Sequence, residues 1–306
     1  MISPKDIQTA AARIAPHTRR TPVIEITQGL GLAHSVTLKL ELQQHTGSFK
    51  ARGAFNSLLS MDVPAAGVVA ASGGNHGAAV AYAAKQLNIP ARIFVPEIAG
   101  PAKIALIRST GVEPDVVPGA YADAYAASQA HQAETGAVTI HAYDAPATLA
   151  GQGTVALEWA EQSPELDILL VAVGGGGLIG GIAAFHQGRT KIVGVEPVTA
   201  QALTAAMAHG PDTQVEVSGL AANSLGARQI GRMCYDIATA QNLQTVLVTD
   251  EAIANAQARL WQTARIAAEP GGAAALAALT SGAYTPPPGS RVGVLVCGGN
   301  LDPSPF

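Results

Sequence analysis

The segment richest in possible chemistry is Thr46-Gly47-Ser48-Phe49-Lys50-Ala51-Arg52-Gly53-Ala54. The chain has six lysines, at 5, 39, 50, 85, 103 and 191, and five of them read as solvated or strand-edge residues. Lys50 follows a Gly-Ser pair that reads as a turn with Ser48 as N-cap, which places it in the first turn of a helix. There the positive end of the helix dipole disfavours the ammonium form. Partly desolvated as well, such a lysine becomes an amine able to form a Schiff base. On this segment alone, a surface lysine that starts a helix explains the pattern equally well.

Four glycine loops give Lys50 possible company: Gly47-Ser48, SGGNHG (72–77), GGGGL (174–178) and CGGN (297–300). Each lies where a strand ends, and in an open parallel sheet those carboxyl ends line the ligand crevice. Gly174 to Gly177 precede a helix, so backbone N–H groups and the helix dipole can hold a phosphate there. A single glycine run is often only a tight turn. Four together resist that explanation, because each glycine weakens the element it adjoins. One rival exists: Gly175-x-Gly177-x-x-Gly180 is a formal dinucleotide fingerprint, with Glu196 near the spacing of a ribose-binding acid. It would make the chain an NAD-dependent oxidoreductase or a non-catalytic dinucleotide-binding module. It leaves Lys50, the Asn75 loop and CGGN without roles.

These loops need a scaffold. Short β-branched runs at 67–72, 91–96, 113–118, 138–143, 167–173, 191–197 and 291–299 read as strands. Ala-rich stretches at 76–88, 101–111, 121–136, 151–162, 178–187, 251–270 and 271–282 read as helices. The alternation predicts an α/β protein with parallel sheets and right-handed crossovers. Strands that are apolar throughout predict sheets covered on both faces. At 306 residues the chain has room for about two domains, and 13% charged against 48% hydrophobic residues suits tight packing. No internal repeat and no linker is evident. A net charge of −4 without any Lys/Arg run argues against nucleic acid as a partner. Two cysteines, Cys234 and Cys297, cannot build a disulfide framework and fit a reducing, cytoplasmic setting. The N-terminus reads as a helix with Ser3 at the N-cap, Pro4 at N1 and Asp6 in the first turn, not as a signal segment. Ile168 to Phe185 imitates a membrane span, but six of its 18 residues are glycine, so it divides into strand, turn and helix and no membrane contact is expected.

Read in order, SFKARGA, SGGNHG, GGGGL, GVEP, AAEPGGA and CGGN resemble the fold-type II pyridoxal-phosphate enzymes, most closely the threonine/serine dehydratase and serine racemase branch. The resemblance covers essentially the whole chain. It implies a tryptophan synthase beta-like fold of two open, mainly parallel sheets flanked by helices. A large cofactor domain (1–60 and 140–306) would carry a smaller inserted domain (61–139) bearing the SGGNHG loop. It further implies that Lys50 holds pyridoxal 5'-phosphate and later acts as base at the substrate Cα. Phe49 would pack against the ring, Asn75 bond its hydroxyl, and Gly174, Gly175, Gly176 and Gly177 with Leu178 cradle the phosphate. Ser72, Gly73, Gly74 and His76 would bind the substrate carboxylate. The implied reaction removes water from L-threonine or L-serine to give a 2-keto acid and ammonia, in a homodimer acting on small amino acids. Elimination from threo-3-hydroxyaspartate and racemisation of serine are the alternatives on the same fold.

Departures from the family pattern narrow the branch. The phosphate loop carries no threonine and Ala51 follows the lysine, which resembles dehydratases rather than cysteine or threonine synthases. Gly73 stands where the racemases have a serine, so a dehydratase with little racemase activity is expected. Cys297 falls against the pyridine nitrogen by the resemblance; its plain alternative is a buried structural cysteine. A family cation site would use Glu196, the carbonyl of Ala200 and an acid where this chain has Ala202, so a tight divalent site is not expected and a monovalent ion stays open. No regulatory domain follows CGGN, so feedback inhibition by isoleucine is not expected. Glu269 faces the site by analogy, without an evident role. A hydroxyaspartate side chain would need a cationic partner, for which His45, His76, Arg108 and Arg228 are candidates.

Overall fold

The computed structural model describes residues 1–301. Among them ten strands form two sheets: β1 (Val23–Ile26), β2 (Val36–Leu40), β3 (Val68–Ala71), β4 (Ala91–Pro96), β5 (Asp115–Val117), β6 (Val138–Thr139), β7 (Ile168–Ala172), β8 (Lys191–Pro197), β9 (Gln244–Val248) and β10 (Val292–Val296). The larger sheet runs β1-β2-β10-β7-β8-β9 and is parallel except for β1 against β2; the smaller runs β5-β4-β3-β6 and is wholly parallel. The helices are α1 (Pro4–Ile14), α2 (Lys50–Leu59), α3 (Asn75–Gln86), α4 (Pro101–Arg108), α5 (Tyr121–Thr135), α6 (Pro146–Gln162), α7 (Gly177–His186), α8 (Ala202–His209), α9 (Ala222–Leu225), α10 (Arg232–Ala240), α11 (Asp250–Ala264) and α12 (Pro270–Thr280). Apolar β7, β8 and β10 are buried along most of their length, as covered parallel strands must be.

Each sheet has its own core. The larger cluster joins β2, β7, β8 and β10 to α7 and α12. The smaller joins β3, β4 and α3, and it takes in Ala51, Ala54, Phe55 and Leu58 of α2. The N-terminal helix has the expected capping box, with Ser3 and Asp6 bonding each other's backbone. No helix of the described residues is long and apolar enough to cross a membrane.

Four expectations need correction. The strand over 138–143 shrinks to two residues, because the chain from Ile140 to Asp144 turns off to line the site. The helix expected from 151 begins at Pro146, where proline at N1 costs no hydrogen bond. The helix expected to reach 270 ends at Ala264: Arg265 takes a left-handed φ of 55°, and an extended segment leads to the Glu269 cap of α12. Ser48 caps nothing; it is extended and bridges Gly298, and α2 starts behind Phe49.

Lys39 corrects a fifth. It sits on β2 between β1 and β10, fully buried, with its ammonium 2.5 Å from Glu158 Oε1 and donating also to Thr21 O and Gln162 Oε1. Arg52 donates through Nε and Nη2 to both oxygens of Glu41, at 2.9 and 2.7 Å, and through Nη2 to Glu158. Two cations and two carboxylates thus form a closed, neutral cluster behind α2. Burial disfavours the Arg52 charge, but Glu41 and Glu158 outweigh it and raise its pKa.

Candidate active site

The site is assembled by two loops bonded to each other. Gly299 N–H donates to Gly47 O at 2.9 Å, Phe49 N–H to Cys297 O at 3.1 Å, and Ser48 bridges Gly298. Thr46 adopts φ 60° and ψ 17°, a conformation disfavoured for a β-branched residue, and Asn300 Nδ2 binds its carbonyl at 2.6 Å. Gly47 has φ 75°, and a side chain there would collide with Asn300. The CGGN loop therefore sets the entry angle of α2, and α2 begins with Lys50.

Lys50 Nζ donates to Ala142 O at 2.8 Å and lies 5.2 Å from the centre of the Phe49 ring. Burial lowers its pKa to about 8, against the opposing pull of Cys297 and Glu269. Near neutral pH an accessible fraction is therefore free amine. Lys50 opens on a cavity lined also by Phe49, Asn75, Tyr143, the loop Gly174–Gly177 and Cys297. Ser224, Leu225, Glu269 and Gly271 complete the wall that sequence reading had left out or without a role.

The glycine loop is a cradle rather than a loose turn. Gly176 has φ 90°, and a Cβ there would lie 2.5 Å from Cys234 Sγ. Side chains at 175 and 177 would run into Tyr143, and one at 174 would press tightly on the Leu225 backbone. No side chain caps α7, and the residues of its first turn, whose N–H groups have no intrahelical partner, line the cavity. Leu178 lines the same wall. These features fit a ring bearing a phosphate: an amine at one end, an anion cradle at the other, and the amide of Asn75 at the side.

Among the described residues, Glu269 is the one carboxylate on this wall. It accepts from Asn75 Nδ2 at 2.6 Å, and Asn75 Oδ1 in turn accepts from Asn300 Nδ2 at 2.8 Å. Burial raises its pKa to about 7, against Asn75, Lys103 and Lys50. Cys297 donates its thiol to Gly271 O at 3.4 Å, and burial pushes its pKa up, so it stays neutral.

Ser72, Gly73 and Gly74 lie between β3 and α3, beside Asn75; Ser72 Oγ accepts from Gly74 N–H at 3.2 Å. A Cβ at Gly73 would meet Ala99 Cβ at 2.7 Å and Val95 Cγ1 at 3.0 Å, so these neighbouring side chains leave no room for one at 73. His76 is turned inward, its Nε2 2.9 Å from Ile140 O and its pKa lowered to about 3 by burial. Glu196 lies apart from the cavity: its carboxylate accepts from Leu203 N–H, Thr204 N–H and Thr204 Oγ1 at the start of α8. Those bonds tie Glu196 to α8, away from the cavity, so the dinucleotide reading loses its ribose-binding acid. Ala200 is buried beside it, its N–H on Pro197 O. Of the cationic candidates, His45 bonds and stacks on Tyr82, and Arg108 is paired with Glu113 in solvent. Lys103, expected to be solvated, is half-buried and donates to Asn223 Oδ1 at 2.7 Å, next to Ser224.

Comparison with known proteins places this geometry. The family described as "pyridoxal-phosphate dependent enzyme" matches residues 14–298. A phenylserine dehydratase of Ralstonia pickettii is 35% identical over 96% of this chain and 92% of its own. An L-threonine ammonia-lyase of Thermotoga maritima is 34% identical over 99% of this chain and 76% of its own. The structure of maize serine racemase superposes with a TM-score of 0.91 at 34% identity, covering 99% of this chain and 95% of that one.

Proposed function

Because the chain belongs to the pyridoxal-phosphate dependent enzymes, in the fold-type II threonine/serine dehydratase family, we propose that it is an ammonia-lyase that removes water from L-threonine or L-serine through Lys50. The observation that carries this reading is a desolvated lysine facing an uncapped, glycine-lined helix N-terminus across one cavity. Bound pyridoxal phosphate supplies the electron sink for carbanion chemistry at Cα. Lys50, its pKa lowered from 10.5 to about 8, then keeps a free-amine fraction near neutral pH that can take the Cα proton. The first turn of α7 and its glycines would hold the phosphate, Phe49 would lie against the ring, and Asn75 would face its hydroxyl. A neutral Cys297 would bring no negative charge to the ring nitrogen. The loop Ser72–Gly74 would take the substrate carboxylate at the N-terminal end of α3, where backbone N–H groups are free of helix partners. His76 would support that loop from within rather than donate a charge.

Elimination is favoured over racemisation by Gly73. With no side chain at 73 and no space for one, the position that carries the second base in the racemases offers none here, and Lys50 is left as the base to Cα in this reading. The test is 2-keto acid release from L-threonine, L-serine, phenylserine and threo-3-hydroxyaspartate, with D-serine measured alongside. We expect threonine or serine to lead, Lys50→Ala to lose at least about a thousandfold in kcat, and D-serine to form far more slowly than pyruvate. Turnover retained in Lys50→Ala, or D-serine at a rate comparable to pyruvate, contradicts the proposal.

A further inference from the structure

We propose that Glu269 is a positioning residue which, through Asn75, fixes the hydrogen-bonding group that the protein presents to the cofactor ring hydroxyl. The proposal rests on the reading that Asn75 faces that hydroxyl. An asparagine amide offers one acceptor oxygen and two N–H donors, and it can present either end by a flip. Here the choice is made by a chain of bonds. Thr46 O can only accept, so the group of Asn300 that lies 2.6 Å from it is the NH2. The same NH2 donates to Asn75 at 2.8 Å, which makes the receiving atom Oδ1. Asn75 Nδ2 then donates one hydrogen to Glu269 at 2.6 Å and keeps one N–H with no partner among the described residues, on the wall it shares with Lys50.

A carboxylate at 269 can only accept, so it locks this orientation from the far end. A donor N–H held against a ring hydroxyl oxygen favours its deprotonated form, since a hydrogen bond to the charged state stabilises that state. The fold makes room for the arrangement. Any side chain at Gly298 would collide with Glu269 Oε1, and the Glu269 N–H donates to Gly298 O at 3.1 Å. Among the described residues, the charged or titratable groups facing Glu269 are Lys50 from α2, Lys103 from α4 and Cys297 at the end of β10. None is in an ion pair with it, and burial holds its carboxyl at about 7. Ionisation of Glu269 is thus placed to change the Asn75 lock within the neutral pH range.

The experiment is a pH titration of the absorbance of the bound cofactor in holoenzyme, with Glu269→Gln and Asn300→Ala beside wild type. In wild type, the ratio of visible to near-ultraviolet absorbance should change with a midpoint above the usual carboxylate range, where burial places Glu269. Glu269→Gln should abolish that midpoint and lower the ratio at pH 8 by roughly threefold, with kcat falling and KM little changed. Asn300→Ala frees the amide from its other end and should lower the ratio in the same direction, which keeps the test open if the Glu269 variant folds poorly. An unchanged spectrum and pH profile in Glu269→Gln overturns the proposal. Failure of wild type to bind the cofactor on Lys50 overturns the functional reading instead, so the two failures are distinct.

Discussion

Two buried charged regions flank α2, and they are built on opposite rules. On one side, Lys39, Arg52, Glu41 and Glu158 balance to zero charge, with every cation donating to a carboxylate at 2.5 to 2.9 Å. On the other, among the described residues, Lys50 donates only to a backbone carbonyl and the Glu269 side chain accepts only from an amide. Lys50 and Arg52 are two residues apart, so the helix turns them about 200° from each other. The closed cluster raises the pKa of Arg52, although burial still lowers that of Lys39 against the pull of Glu158; the open site leaves its groups near neutrality, at about 8 and about 7. A buried charge with a full set of partners anchors a helix, whereas one without them stays available for proton transfer.

The sharpest way to break this contrast is Arg52→Met. It leaves Glu41 fully buried without its cation, and we expect a loss of about 3–5 kcal/mol in urea unfolding. A loss below about 1 kcal/mol would mean that the cluster is not the anchor. On the open side the sign reverses. The Lys50 pKa falls from 10.5 to about 8 on folding, so its charge opposes folding increasingly as pH drops through that window and fully below it. Lys50→Met apoprotein should therefore be more stable than wild type by about 1–3 kcal/mol at pH 7, and the gap should close toward pH 10.5. A gap independent of pH would show that packing, not charge, is responsible. The smallest effect belongs to Arg108→Ala: that residue pairs with Glu113 in full solvent, and the unfolding midpoint should not move.

Much of the site was legible because glycine loops and a helix start are local signals. Lys50, Asn75, the loop 174–177 and Cys297 do come together on one cavity wall. Lys39 was misread because the evidence for its burial is remote. Glu158 lies 119 residues away, and only the strand order shows that β2 is an interior strand. Tyr143 and Ser224 carry no motif; they reach the cavity because short segments after β6 and around α9 fold over it. The end of α11 was missed for a related reason, since Arg265 adopts a left-handed conformation that no glycine announced.

The most direct test is borohydride reduction of the cofactor-loaded protein followed by peptide mass mapping. A pyridoxyl group on Lys50 alone is the predicted result; a label on Lys39 or Lys103, or no label at all, would contradict the assignment of Lys50 as the lysine that carries the chemistry.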